Sequence, residues 1–287
     1  MFEQSLEAAS LAAHTKVVAL EQSLPRYLVT AMLAGAYVGL GIALIFAIGA
    51  PLAAAGSPFT KVVMGASFGI ALSLVVVAGA ELFTGNAMVL PLGRFAGRTS
   101  WSQLASLWAW SFVGNLMGSI ALAALLAASG VFANDPQRSF VEATAQAKMN
   151  LPFWAAFVRG ILANWLVCLA VWCSFRATSE VAKLVMVFWC LFAFIGAGFE
   201  HSVANMTLLA LALFQPHAET LSWLGYISNL VPVTLGNVVG GVVFVAAAYW
   251  LASPLGAART APAPQPAAEP AVTAPVVATS PSLGASA

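Results

Sequence analysis

The sequence predicts an all-α membrane protein with six transmembrane helices in two inverted three-helix repeats, the second and fifth helices broken. Three observations predict this. Of the 287 residues 61% are hydrophobic and only 7% charged, and the mean hydropathy is +0.92, whereas soluble domains carry roughly a quarter charged residues. Six apolar stretches are long enough to cross a hydrocarbon core of about 30 Å. Two of them run into polar interruptions that match one another.

The first segment, residues 1–26, mixes Glu3, Glu7, Lys16, Glu21 and Arg26 with Leu and Ala at helical spacing, and has no signal-peptide apolar run. It reads as an amphipathic segment. The six spans follow at about 27–49, 62–80, 104–128, 154–175, 182–198 and 229–251. Residues 252–287 are rich in Ala, Pro, Thr and Ser with almost no charge, a composition that cannot bury enough apolar surface to offset ordering entropy, so a disordered tail is predicted.

Six crossings place both termini on one side. Seven basic residues (Lys16, Arg26, Arg94, Arg98, Arg176, Lys183, Arg259) fall on that side against three (Lys61, Arg138, Lys148) opposite, so the positive-inside bias puts both ends in the cytoplasm of a bacterial inner membrane. The net charge of +1 provides no field that would draw nucleic acid. Cys168, Cys173 and Cys190 lie in apolar runs without metal-ligand spacing and read as small buried hydrophobes. Neither a metal nor a cofactor is predicted.

The second span runs into Glu81-Leu82-Phe83-Thr84-Gly85-Asn86 before turning apolar again, and the fifth runs into Glu200-His201-Ser202-Val203-Ala204-Asn205. Backbone that leaves the helix at membrane depth is tolerated only inside protein or beside a wet cavity. Two such breaks imply a conduction path. In both, a Glu precedes an Asn by five positions, and Gly114-Asn115-Leu116-Met117-Gly118 is echoed by Gly236-Asn237-Val238-Val239-Gly240. With Gly35 counted against Gly160, residues 27–128 and 154–251 form repeats. Three spans per repeat invert the second copy relative to the first, as in many channels and transporters.

A charge at mid-membrane costs roughly 2.5 to 3.5 kcal/mol, so Glu81 and Glu200 need partners. The expectation is that each carboxylate braces its break by accepting freed backbone N–H groups, with Asn86 supporting the first break. His201 stands where the first repeat has Leu82, and an imidazole can donate to an anion, so a pore role is predicted. Asn164 and Asn205 offer amide donors. Asn115 and Asn237, set among small residues, are expected to serve helix packing. Lys148 and Arg159 flank the outer entrance to the fourth span, where cations would concentrate anions. Phe68 and Leu72, one turn apart, and Phe194 could form apolar constrictions that act by dewetting. An intramembrane enzyme is disfavoured because no nucleophile elbow or cofactor fingerprint accompanies these residues. A water channel of the aquaporin type is disfavoured because no Asn-Pro-Ala tripeptide occurs.

Four motifs in order carry a family resemblance across residues 20–251: Ala80-Glu81-Leu82-Phe83-Thr84, Asn164 to Ala170, Gly198 to Met206, and Val233 to Asn237. In these the chain resembles the formate/nitrite transporter family, in its nitrite-channel branch. The resemblance implies an aquaporin-like protomer assembled in the bilayer as a homopentamer, each subunit with its own pore. It implies that His201 is the central pore residue, with Thr84, Asn164, Asn205 and Glu200 around it and Lys148 near the outer vestibule. Leu82, Phe83 and Thr84 would form the loop of the broken second helix, and Phe68, Leu72, Leu82, Phe83 and Phe194 the constrictions. The implied substrate is nitrite, with formate and hydrosulfide as alternatives, and proton coupling through His201 is one implied route.

Overall fold

The structure, a computed structural model, describes residues 2–254. Beyond Pro254 the predicted tail lies outside the described residues. The chain opens with α1 (Glu3–Gln22) and the first span α2 (Leu24–Ala54). The second span comprises α3 (Thr60–Ser67) and α4 (Gly69–Val77), and a short non-helical stretch separates it from α5 (Phe83–Phe95). The third span α6 (Trp101–Ala128) closes the first repeat. The second runs through α7 (Gln137–Met149), α8 (Phe153–Arg176), α9 (Glu180–Ala197), α10 (Ser202–Leu213) and α11 (Trp223–Gly241), whose span continues through a π-helical segment (Val242–Ala247) into α12 (Ala248–Leu251). Six of these units are long and apolar enough to cross a membrane, among the described residues.

Four spans begin at a serine written into the sequence. Ser23, Ser100, Ser179 and Ser222 each accept the N–H three residues on, and Ser100 closes a reciprocal capping box with Gln103. The apolar faces then pack in equivalent pairs, α2 on α6 and α8 on α11. Both pairs depend on glycine for close approach. A Cβ at Gly118 would lie 1.9 Å from the Met32 carbonyl oxygen, and one at Gly240 would lie 2.5 Å from that of Ile161.

Backbone hydrogen bonds define the repeat register. The Glu81 N–H donates to the Thr30 carbonyl at 3.1 Å, and the Glu200 N–H donates to that of Arg159 at 3.2 Å. Asn115 Nδ2 donates to the Ala31 carbonyl and Asn237 Nδ2 to that of Gly160, both at 2.8 Å. Ala31 therefore corresponds to Gly160, and Gly35 to Asn164. The pairing of Gly35 with Gly160 is corrected: the stretch from the first span to its break is ten residues longer in the first repeat, which matching glycines alone does not reveal.

The repeats also begin earlier than the spans. Just as α1 precedes the first span and packs on α5, α7 precedes the fourth and packs on α10. Leu6, Ala9, Ala13 and Val17 form the buried stripe of α1, and Phe2 lies against Trp172 and Tyr249 at its start. The face holding α1 is termed proximal below, and that holding α7 distal.

Candidate pore

The two breaks share one construction. Leu82 and His201 are both extended, with φ/ψ of −94°/120° and −123°/122°, which leaves backbone groups without helical partners. A single buried amide satisfies them in each case. Asn115 Oδ1 accepts the Phe83 N–H at 2.9 Å while its Nδ2 donates to the Glu81 carbonyl at 2.8 Å. Asn237 Oδ1 accepts the Ser202 N–H at 2.8 Å while its Nδ2 donates to the Glu200 carbonyl at 3.1 Å. The bracing expected of the carboxylates is thus done by the two asparagines assigned to helix packing. One amide can both donate and accept, whereas a carboxylate can only accept.

The carboxylates instead gather side chains. Both oxygens of Glu81 lie 2.7 Å from Lys16 Nζ on α1, and Asn86 Nδ2 donates to Oε2 at 3.3 Å. Glu200 accepts from Lys148 Nζ on α7 at 2.7 Å and from Asn205 Nδ2 at 2.7 Å. The two clusters are repeat equivalents on opposite faces. Asn205 also donates to Asn229 Oδ1, and Asn229 Nδ2 donates to the Lys148 carbonyl, so the distal cluster is tied more closely.

Each cluster borders a vestibule. The distal cavity, about 730 Å³, is walled by apolar side chains with Lys61, Lys148, Arg159, Glu200, Asn205 and His201 in its lining. The proximal cavity, about 410 Å³, holds Lys16, Glu81, Asn86 and Lys183. Between them lies a chamber of about 10 Å³, on the order of what one water molecule needs. Leu72 and Leu82 line both the chamber and the proximal cavity, while Phe194 and His201 line both the chamber and the distal one. Phe68 closes the side, its ring edge-on to Phe194 with centroids 5.7 Å apart. Phe83 does not line the chamber: one residue after extended Leu82 it points the other way, edge-on to Phe112 at 5.3 Å.

In the corrected register three equivalent pairs line the chamber, Val38 with Val167, Leu72 with Leu191, and Leu82 with His201, beside Phe68, Ala71 and Phe194. Only the last pair is chemically unequal. His201 Nδ1 accepts the Ala204 N–H at 3.2 Å, which leaves the proton of the neutral ring on Nε2. Nε2 lies 2.9 Å from Thr84 Oγ1. The Thr84 carbonyl accepts from Asn164 Nδ2 at 3.1 Å and from Cys168 Sγ at 3.3 Å, and Asn164 also donates to the Asn237 carbonyl at 2.6 Å. The repeat counterparts of Thr84, Asn164, Cys168 and His201 are Val203, Gly35, Gly39 and Leu82. His201, the one polar residue in the chamber lining, and the three residues linked to it through Thr84 are thus four departures from the repeat.

The structure brings His201, Thr84 and Asn164 together at the chamber and Glu200, Asn205 and Lys148 together at the distal vestibule. Of the first three His201 alone lines the chamber: Thr84 and Asn164 line none of the three cavities, and Asn164 faces the Thr84 backbone. Sequence reasoning passed over Lys16, Asn115, Asn229 and Asn237 as site residues. Lys16 precedes the first span as Lys148 precedes the fourth, a parallel hidden by starting the repeats at the spans.

A family model described as formate/nitrite transporter matches residues 4–251. The "Nitrite transporter NirC" of Salmonella typhimurium is 47% identical over 235 residues, which cover 82% of this chain and 86% of its own. A solved "FNT family ion channel" superposes with a TM-score of 0.84 at 43% identity, covering 88% of this chain and 100% of that one. A "Pentameric formate channel with formate bound" superposes with a TM-score of 0.71 at 32% identity, covering 81% and 98%.

Proposed function

The chain belongs to the formate/nitrite transporter family, and on that premise we propose that it is a channel for small monovalent anions, nitrite first among them. One observation carries the reading: an apolar chamber with a single ring N–H donor separates two vestibules that contain cations. Apolar walls oppose a hydrated ion. A cationic mouth concentrates anions before they shed water, and the His201 and Thr84 pair supplies the polar contact in the dry part. An anion reaching the chamber would take the Nε2–H that Thr84 otherwise holds.

In this reading His201 acts first by donating a hydrogen bond. Full proton transfer needs a doubly protonated ring, and a proton on Nδ1 would face the Ala204 N–H. Proton coupling then requires that cap to open, which makes it a step separate from binding. Nitrite is supported by the relative of that name, and formate is the second reading, supported by the formate-bound neighbour.

The chain works by passage, without catalysis. Its assembly is a homopentamer, a reading supported by its likeness to the pentameric formate channel, and the basic-residue bias supports an inner-membrane location with both ends cytoplasmic. The test is anion flux through the purified protein in proteoliposomes, comparing nitrite, formate, hydrosulfide, nitrate and chloride across a pH series. Nitrite is expected to lead, and His201→Ala and His201→Asn to change both the rate and its pH dependence. Unchanged flux in both variants would overturn the role given to His201.

A further inference from the structure

The two vestibules are equivalent by repeat but not by charge. In the proximal cavity both lysines are paired, Lys16 with Glu81 and Lys183 with Glu180. In the distal cavity Lys148 is paired with Glu200, while among the described residues neither Lys61 nor Arg159 has a carboxylate within ion-pair distance. Arg159 lines the cavity, and its backbone carbonyl accepts the Glu200 N–H. Two cations without a carboxylate partner among the described residues therefore line a recess of about 730 Å³.

The recess is also built unlike a simple funnel for a hydrated ion. Its walls include Ile42, Ile45, Phe46, Met64, Phe140 and Phe194, with the Phe46 and Phe140 rings 5.2 Å apart. A volume of this size with apolar walls and a few convergent charges matches the usual small-molecule site of about 300 to 1,000 Å³. It is far larger than the chamber beneath it, so a ligand that fills it cannot pass.

We propose that the distal vestibule is a binding site for amphipathic organic monoanions, an alkyl or aryl body carrying one carboxylate or sulfonate, which occlude the pore from the distal face. Lys61 and Arg159 hold the anionic head, and the body lies on the apolar wall that includes Phe46 and Phe140. Charge complementarity selects an anionic head, since Glu200 in the same lining is already held by Lys148. The effect on flux rests on the anion-channel reading, whereas the binding does not.

The probe is a series of n-alkanesulfonates from methane- to hexanesulfonate, whose permanent charge rules out crossing as a neutral acid. Titrated calorimetrically into the full-length chain in lipid nanodiscs, with empty nanodiscs as the control, Kd is expected to fall about threefold to fourfold per methylene. Phe140→Ala is expected to flatten that dependence, and Phe140→Leu to keep most of it. In vesicles of known orientation the longer members are expected to block nitrite flux when added to the distal face and not when added to the proximal face. Equal affinity for methane- and hexanesulfonate, an unchanged series in Phe140→Ala, or equal block from both faces overturns the proposal. Chain-length-dependent binding without any nitrite flux would leave the site standing and remove the channel reading instead.

Discussion

Thr84 Oγ1 and His201 Nε2 lie 2.9 Å apart, a hydrogen bond between residues 117 positions apart in the chain that joins the two helix breaks. Thr84→Val keeps the volume and removes the acceptor, which strands a buried ring N–H at a cost of about 1–3 kcal/mol. The stranded donor is then free for the anion, so nitrite flux is expected to half-saturate at a nitrite concentration lower by on the order of tenfold, while the oligomer purifies normally. Thr84→Ser, which retains the oxygen, is expected to stay near the parent value. Stopped-flow flux measurements on the three proteins decide it.

Each break hangs on one asparagine. Asn237→Leu would leave the Ser202 N–H and the Gly160 and Glu200 carbonyls without their amide partner, each buried loss being about 1–3 kcal/mol. Asn115→Leu does the same to the Phe83 N–H and the Ala31 and Glu81 carbonyls. Both variants are expected to lose most of the folded protein, and by similar amounts. Fluorescence-detected size exclusion of solubilised membranes measures this, and parental yields would contradict the clamp assignment.

The two ion pairs differ in burial, with Glu200 3% exposed and Glu81 19%. Lys148→Met strands a buried carboxylate, which typically costs about 3–5 kcal/mol, so a clear drop in thermal stability is expected. Lys16→Met is expected to cost less, because water reaches its partner. The double substitution Lys148→Met with Glu200→Gln should recover much of the loss, which a melting series on the four proteins would show.

Within the helices, the need for glycine follows the space that a Cβ would enter. Gly118→Ala places a methyl group 1.9 Å from the Met32 carbonyl oxygen and is expected to prevent α2 and α6 from closing. Gly196→Ala meets nothing within 4 Å and should be tolerated. Expression and oligomer yield of the two variants give the contrast directly.

Much of this architecture was legible because hydropathy and its interruption are properties of neighbouring residues. Glu81 and Glu200 stand out in apolar runs whatever surrounds them in space, and the Glu-to-Asn spacing of five recurs at both. The sequence also placed His201 opposite Leu82 in the repeat, and the chamber places them so. Asn115 and Asn237 were visible as a motif but not as clamps. Their partners, Phe83 and Ser202, come from other segments of the chain, and no spacing encodes which segments touch. Phe83 is a different case, since the side to which a residue points after an extended one depends on the backbone angles at the break.

The sequence by itself determined the solvent this chain folds in, the number of crossings, the two breaks and the inverted repeat, because each follows from local apolar length and recurring polar residues. Only the tertiary structure decided the true register of the first and fourth spans, the lysine partners of the two carboxylates and the meeting of Thr84 with His201. Those depend on which helices lie side by side. Most of the extra length in the first repeat lies in the C-terminal part of α2 (Leu24–Ala54), not in the loop after it, and matching glycines do not show where it enters.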